Sequence, residues 1–279
     1  MKNQYFGDVN DFKKYGLLRH LASGGEGELA VCWSRTVDDT RSDGSRIHYL
    51  EDPAHWRELD PVVFDFVHDQ VLEKRIRDVD ALASSNLLPR SRFFGDVLED
   101  ELANRDAYFN RFFRFARGAK LVFFDPDNGL GITAVQRGER RSSKYVYPCE
   151  VERAWSAGHS VLFYQHFPRR PRDAFLGRLV STLATLTGLK SVVFFVTSHV
   201  VFVLLPRPDH EAWLLPSAGG FAAHWSRVVS VQLRAVPGAV LRPFSRKVRE
   251  ARWMHPSKPN GDPRRSHLPA ARWDGISSS

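Results

Sequence analysis

The run Phe123-Phe124-Asp125-Pro126-Asp127-Asn128-Gly129-Leu130 sets two acids and an amide directly after a stretch of apolar residues. A carboxylate on the last residue of a buried strand is held rigidly, so Asp125, Asp127 and Asn128 are candidate catalytic groups. Pro126 fixes its own φ and has no backbone donor, while Asn128-Gly129 favours a sharp turn. Acids placed this way can orient or deprotonate a reacting group, or hold a divalent metal through hard oxygens. In a plain strand exit they would only bond the backbone.

Three further groups of residues have suitable chemistry. Tyr164-Gln165-His166-Phe167-Pro168-Arg169-Arg170 ends another apolar run; His166 can act as acid or base, and Arg169 and Arg170 can hold phosphate. Gly95-Asp96 closes an earlier run, where an acid can accept hydrogen bonds from an adenine amine or a ribose. The opening residues 3–21 combine Tyr5, Phe6, Lys13, Lys14 and Tyr15 ahead of a helix, and part of this segment is expected to meet a ligand. Lys144 and Tyr145 make one more basic-aromatic cluster, which fits a solvated surface as well as a substrate contact.

The elements that must position these residues read as alternating strands and helices. Residues 28–33, 46–50, 91–98, 121–124 and 160–170 are expected strands, and 60–82, 105–119 and 171–187 expected helices. Residues 191–206 read as two apolar runs around Thr197-Ser198-His199, a tight hairpin. This alternation predicts an α/β, doubly wound, mostly parallel sheet with a C-terminal β-hairpin at one edge. Such sheets bind ligands outside the carboxyl ends of their strands. Gly95-Asp96, Asp125 and Gln165-His166 are therefore expected to line one crevice. Residues 1–241 form the expected domain, and 242–279 a basic extension.

Composition narrows the partners. The chain has 279 residues, 43% hydrophobic, with a formal charge of +8. Residues 242–279 carry nine Lys or Arg against three Asp or Glu. A surplus of this kind favours a polyanion such as a nucleic acid or nucleotide. No apolar run is long enough for a membrane helix, and the opening residues lack the apolar stretch of a secretion signal. Two cysteines make no disulfide framework, so a reducing cytoplasmic setting is expected.

The order of these motifs resembles class I S-adenosylmethionine-dependent methyltransferases, nearest the family that methylates adenine N6 in bacterial large-subunit ribosomal RNA. In that family an opening segment ends in a helix Lys-His, matched here by Gly7, Asp11 and Lys14 with Tyr15 in place of the His. Its Gly-Asp is matched by Gly95-Asp96, and its Asp-Pro-Pro-Tyr by Asp125-Pro126-Asp127-Asn128. The likeness runs over roughly residues 3–206 and implies a Rossmann-like fold, with Lys14, Tyr15, Gly95 and Asp96 at the cofactor. It departs where the glycine-rich loop after the first strand is replaced by Cys32-Trp33-Ser34-Arg35. Asp127 and Asn128 also remove the aromatic that such enzymes stack on a flipped-out adenine. The string MKNQYFGD…KYGLLR…DPDNGL…YQHFPR is similar as well to a widespread bacterial family.

Three readings follow. The first is a methyltransferase using S-adenosylmethionine on a nucleic acid or nucleotide, with Asp125 at the acceptor amine and Arg169, Arg170 and Lys144 toward the substrate. The second is a metal-dependent nuclease or phosphodiesterase holding Mg²⁺ on Asp125 and Asp127, assisted by Lys144 or His166. The third is a non-catalytic module that binds a nucleotide or a partner protein.

Overall fold

The computed structural model describes residues 1–25, 27–39, 43–131 and 135–236. The expected basic extension over 242–279 lies outside them. Asp8 opens α1 (Val9–Ser23), its side chain accepting from the Asn10 backbone. Strand β1 (Leu29–Cys32) follows, wholly buried. Next come α2 (Pro53–Trp56), α3 (Pro61–His68) and α4 (Asp80–Ala83). Strand β2 (Ser91–Phe94), α5 (Leu102–Phe115) and β3 (Leu121–Phe124) form the next unit. Two short strands, β4 (Gly129–Leu130) and β5 (Tyr145–Val146), pair with each other and lead to α6 (Pro148–Ser156). The chain continues through β6 (Ser160–His166), α7 (Arg172–Thr187), β7 (Ser191–Val196), β8 (Val200–Leu205), α8 (Glu211–Trp225) and β9 (Ser230–Ala235).

The main sheet has the order β2-β1-β3-β6-β8-β7-β9. β2, β1, β3 and β6 are mutually parallel, β8 runs against both β6 and β7, and β9 runs against β7. Five strands thus point one way. Helices cover both faces, giving a Rossmann-like α/β fold. Alternation along β3 explains the two cores. Leu121 and Phe123 join the layer under α1, α3 and α8, while Val122 and Phe124 join the layer under α5, α6 and α7. A strand buried on both faces has to be apolar throughout, which is why β3 reads as an unbroken apolar run.

Register decides what meets at the carboxyl rim. Cys32 on β1 and Phe163 on β6 both stand level with Phe124 on β3. Asp125 therefore leaves the sheet beside Trp33 on one side and Tyr164 on the other.

Several expectations change. Residues 46–50 are not a strand; His48–Glu51 is a 3-10 turn ahead of Asp52-Pro53, and its side chains pack Tyr49 and Leu50 inward. The helix expected over 60–82 stops at His68, loosens into a π-turn over Asp69–Glu73 and resumes only as α4. The hairpin of β7 and β8 is present, with its turn at Thr197, but β9 adds outside it and forms that edge of the sheet. Among the described residues no helix is long and apolar enough to cross a membrane.

Candidate functional site

A cleft of about 500 Å³ opens at the carboxyl rim. One wall is the first turns of α1 and the segment 43–46. The other is the exit of β3, the end of β6 and Lys144.

Its floor is an ion cluster. The Lys14 ammonium lies 2.6 Å from Asp125 Oδ2 and 2.8 Å from Asp11 Oδ1. Lys14 is 2% exposed and Asp125 3%. The rings of Tyr15, Trp33 and Tyr164 stand 5.6, 5.6 and 5.8 Å from the same ammonium. Helical spacing makes this possible: Asn10, Asp11 and Lys14 project from one side of α1. At Asp11, burial and the nearby Asp125 outweigh the lysine and push the carboxyl up to about 6. At Lys14 burial pulls the other way, yet two carboxylates outweigh it and raise the ammonium further. The two carboxylates thus favour the charged form of Lys14.

Asp127 is tied down separately. Its Oδ1 accepts from the Met1 amine at 2.9 Å and its Oδ2 from Thr36 at 3.3 Å, with Lys144 at 3.9 Å. Burial would raise this carboxyl, but the Met1 amine and Lys144 hold it below the ordinary carboxylate value. The Met1 amine also donates to the carbonyls of Asp125 and Ser34, at 3.1 and 3.2 Å, so residues at the start of the chain span the exits of β1 and β3.

The turn after Asp127 is fixed by Gln165. Its amide oxygen accepts from Leu130 N at 2.8 Å, and its nitrogen donates to the carbonyls of Asn128 and His166. Gly129 has φ +111, and a Cβ there would stand 2.4 Å from Gln165 Oε1, so only glycine lets this side chain close the turn. His166 donates its backbone N–H to the Asn128 carbonyl at 3.2 Å. Its Nε2 pairs with the Tyr164 hydroxyl at 3.2 Å, and its ring edge opens to the cleft. The ring is exposed along its cleft edge, and the crowding of its other side pulls this imidazole below its ordinary value, against the pull of Asp127.

The structure thus brings Lys14, Asp125, Asp127, Asn128, Lys144 and His166 to one cleft. Tyr15 is sealed in the core with its hydroxyl on Asp11. Gly95 and Asp96 lie outside the cleft, and Asp96 pairs with Arg111 at 2.8 Å. The reason is strand order: β2 is the far edge strand, separated from β3 by β1, and the Met1 amine spans the exits of β1 and β3. Arg169 and Arg170 are exposed beyond β6, outside the cleft lining.

Sequence reasoning missed Asp8, Asn10, Asp43 and Arg46, which complete the cleft. The only signal for the first two was the i, i+3/i+4 spacing of polar residues on α1 ahead of Lys14.

The Mg²⁺ reading fits this donor set poorly. Asp125 Oδ2 already faces the Lys14 ammonium and Asp127 Oδ1 the Met1 amine. Among the described residues no group of three or more His, Cys, Asp or Glu could hold a metal. Another polar cluster, Ser160 Oγ at 2.9 Å from His210 Nδ1 with Asp209 beside the ring, is buried at Ser160 and pins the start of β6 to the cap of α8.

No protein-family model matches the chain, and no curated protein matches it. Among solved structures it is similar to protein LPL1258 from Legionella pneumophila, described under the family model DUF519. The two share 11% identity, with 84% of this chain and 99% of that one covered and a TM-score of 0.44.

Proposed function

We propose that the chain is an S-adenosylmethionine-dependent methyltransferase that acts on an amine of a nucleic acid or nucleotide in the cleft between α1 and the exits of β3 and β6. The observation that carries this reading is the position of His166: an exposed imidazole that lines the cleft, on the strand next to the Asp125-Asn128 turn.

Size and charge of the cleft support the cofactor. About 500 Å³ is within the range of small-molecule sites. Its lining brings five carboxylates against four cations, the Met1 amine among them, in a protein whose overall charge is +8. That excess suits a ligand with a sulfonium and an ammonium. Asp43 would hold the ammonium, Arg46, braced by Asp8, the carboxylate, and the Tyr5 ring the base. Gly95, Asp96 and Tyr15 have no part in this arrangement.

S-adenosylmethionine carries an already activated methyl group, so the acceptor nitrogen needs only positioning and relief of a proton. Asn128 offers its amide oxygen to an amine N–H. With Nε2–H donating to the Tyr164 oxygen, Nδ1 of His166 is left to take the proton. Asp125, neutralised by Lys14, shapes the site and its field rather than accepting the proton. Lys144 lies at the cleft edge and Arg169 and Arg170 beyond it, and these cations would meet the phosphates of the substrate.

The test is transfer of a labelled methyl group from S-adenosylmethionine to pools of nucleic acid and nucleotides. Label on an exocyclic amine, lost in His166→Gln, is the expected result. No transfer to any pool, together with no binding of S-adenosylhomocysteine, would overturn the reading.

A further inference from the structure

Lys13 and Lys14 are neighbours on α1 with opposite circumstances. Lys14 meets two carboxylates, whereas the Lys13 side chain has no ion pair and no hydrogen bond among the described residues. Yet Lys13 is only 5% exposed, its stem packed inward and its ammonium 5.8 Å from the centre of the Trp56 ring, where it is not sealed from solvent. Burial and the nearby Arg46 both pull this ammonium below its ordinary value, and Asp8 acts against them. Asp8 is already engaged by the Asn10 backbone and by Arg46. A cation that gives up hydration without gaining an anion is costly, and Lys13 is left in that state.

The surroundings add positive charge. His199, exposed in the turn between β7 and β8, is lowered by partial burial and then by Arg46, Lys13 and Arg172, with Asp8 again opposing. Arg172 is fixed to the same turn through the carbonyls of Thr197 and Ser198. Three elements of the carboxyl rim therefore bring Lys13, Arg46 and His199 together beside the cleft, and of these only Arg46 lines it. We infer that Lys13, Arg46 and His199 bind the phosphate of a phosphomonoester. A tetrahedral dianion offers three oxygens to three donors and two charges against their mutual repulsion; a diester or a carboxylate offers a single charge and two free oxygens. The depth of Lys13 favours one projecting terminal phosphate over a chain of diesters lying across the surface. The inference goes beyond methyl transfer and does not depend on it. Arg46 carries five N–H donors, enough to serve this site and a carboxylate in the cleft.

The experiment is calorimetric titration of the full chain with inorganic phosphate, phenyl phosphate and dimethyl phosphate at about pH 7.5, where a monoester is mostly a dianion. Each titration is repeated with saturating S-adenosylhomocysteine, and the imidazole magnetic resonance signals report the place of binding. Phosphate and phenyl phosphate should bind about tenfold or more tighter than dimethyl phosphate, with the His199 signals shifting. Lys13→Met keeps the stem beside Trp56 and should weaken both monoanionic and dianionic phosphate by about tenfold or more. Lys190→Met, just before β7 at the opposite end of the sheet, should change nothing. Should Lys13→Met fail to fold, His199→Asn carries the test with a loss of about threefold. A 5′-phosphorylated oligonucleotide that binds better than its unphosphorylated form places the group on a strand end; equal binding places it on a small molecule. Monoester and diester bound alike, unchanged affinity in folded Lys13→Met, unmoved His199 signals or no phosphate binding would overturn the inference and leave the methyl-transfer reading standing. Displacement of phosphate by S-adenosylhomocysteine would overturn it as well, and assign these cations to the cofactor carboxylate.

Discussion

The Lys14 ammonium lies 2.6 Å from the Asp125 carboxylate and ties the first helix to the exit of the central strand. Both groups are almost wholly buried, so removing the cation leaves two unpaired carboxylates, Asp125 and Asp11. Lys14→Met should destabilise the fold by about 3–5 kcal/mol, the range for breaking a buried pair from one side. Asp125→Asn should cost distinctly less, because Asp11 remains 2.8 Å from the ammonium. Urea unfolding of the two variants checks the order; a larger loss in Asp125→Asn would contradict it.

His166 sets the pH dependence of the proposed reaction. Only the neutral ring accepts a proton, and burial keeps its value below the ordinary 6.5. The rate should therefore rise with pH through a value under 6.5 and be level at neutrality. His166→Gln should lower turnover by about 10²–10⁴ and abolish that acid limb. A limb that persists in the variant would assign the base elsewhere.

Lys144 owes its place to a buried pair on the neighbouring wall. Arg105, fully buried, meets Glu150 at 2.6 and 2.8 Å and donates to the carbonyls of Ser142 and Tyr145 at 3.0 and 2.7 Å. A lysine has no fork to make these contacts at once. Arg105→Lys, which keeps the charge and loses the fork, should cost about 1–3 kcal/mol of stability in urea unfolding, and substrate affinity should weaken through the displaced Lys144. Unaltered stability would show that the fork is not needed.

Acid should weaken the fold from an early point. Burial lowers His20, His159, His166, His199 and His210 below 6.5, so as pH falls through that value the unfolded chain takes up protons that the folded one refuses. Stability is present above 6.5 and declines below it. Asp11 works in the opposite sense, since its value of about 6 exceeds the ordinary 3.8 and the folded chain gains that proton first. Five histidines against one carboxyl predict a lower melting temperature at about pH 6 than at about pH 7.5. A flat or rising melting temperature over that interval would contradict the balance.

How much of this was legible in the sequence follows from what each residue had to satisfy. The strand before Asp125 was readable because burial on both faces permits no polar residue. The hairpin of β7 and β8 was readable for the same reason. β9 was not, because Ser230–Ala235 is an edge strand, largely half-buried or exposed, and carries Gln232 and Arg234 where a core strand would be apolar. The Tyr49-Leu50 segment resembled a strand because its inward-facing side chains are aromatic and aliphatic, yet it turns as a 3-10 helix. The Asp125 and His166 pairing in one cleft could be expected from consecutive strand exits. The Lys14 contact could not, since it joins residues 111 positions apart through the path of α1 across the sheet. Gly95-Asp96 looked equivalent to the other exits, and only the order of strands shows that it opens elsewhere.

The central claim is that a methyl donor and an amine-bearing base share the cleft in front of His166. The most direct test is a nuclear magnetic resonance titration of the imidazole signals with S-adenosylhomocysteine. The His166 resonances should shift in a saturable way with one site per chain, while those of His210, buried beside Ser160 at the opposite end of β6, stay fixed. Saturable binding that moves His210 or another histidine and leaves His166 unchanged, or no binding at all, would contradict the assignment of this cleft.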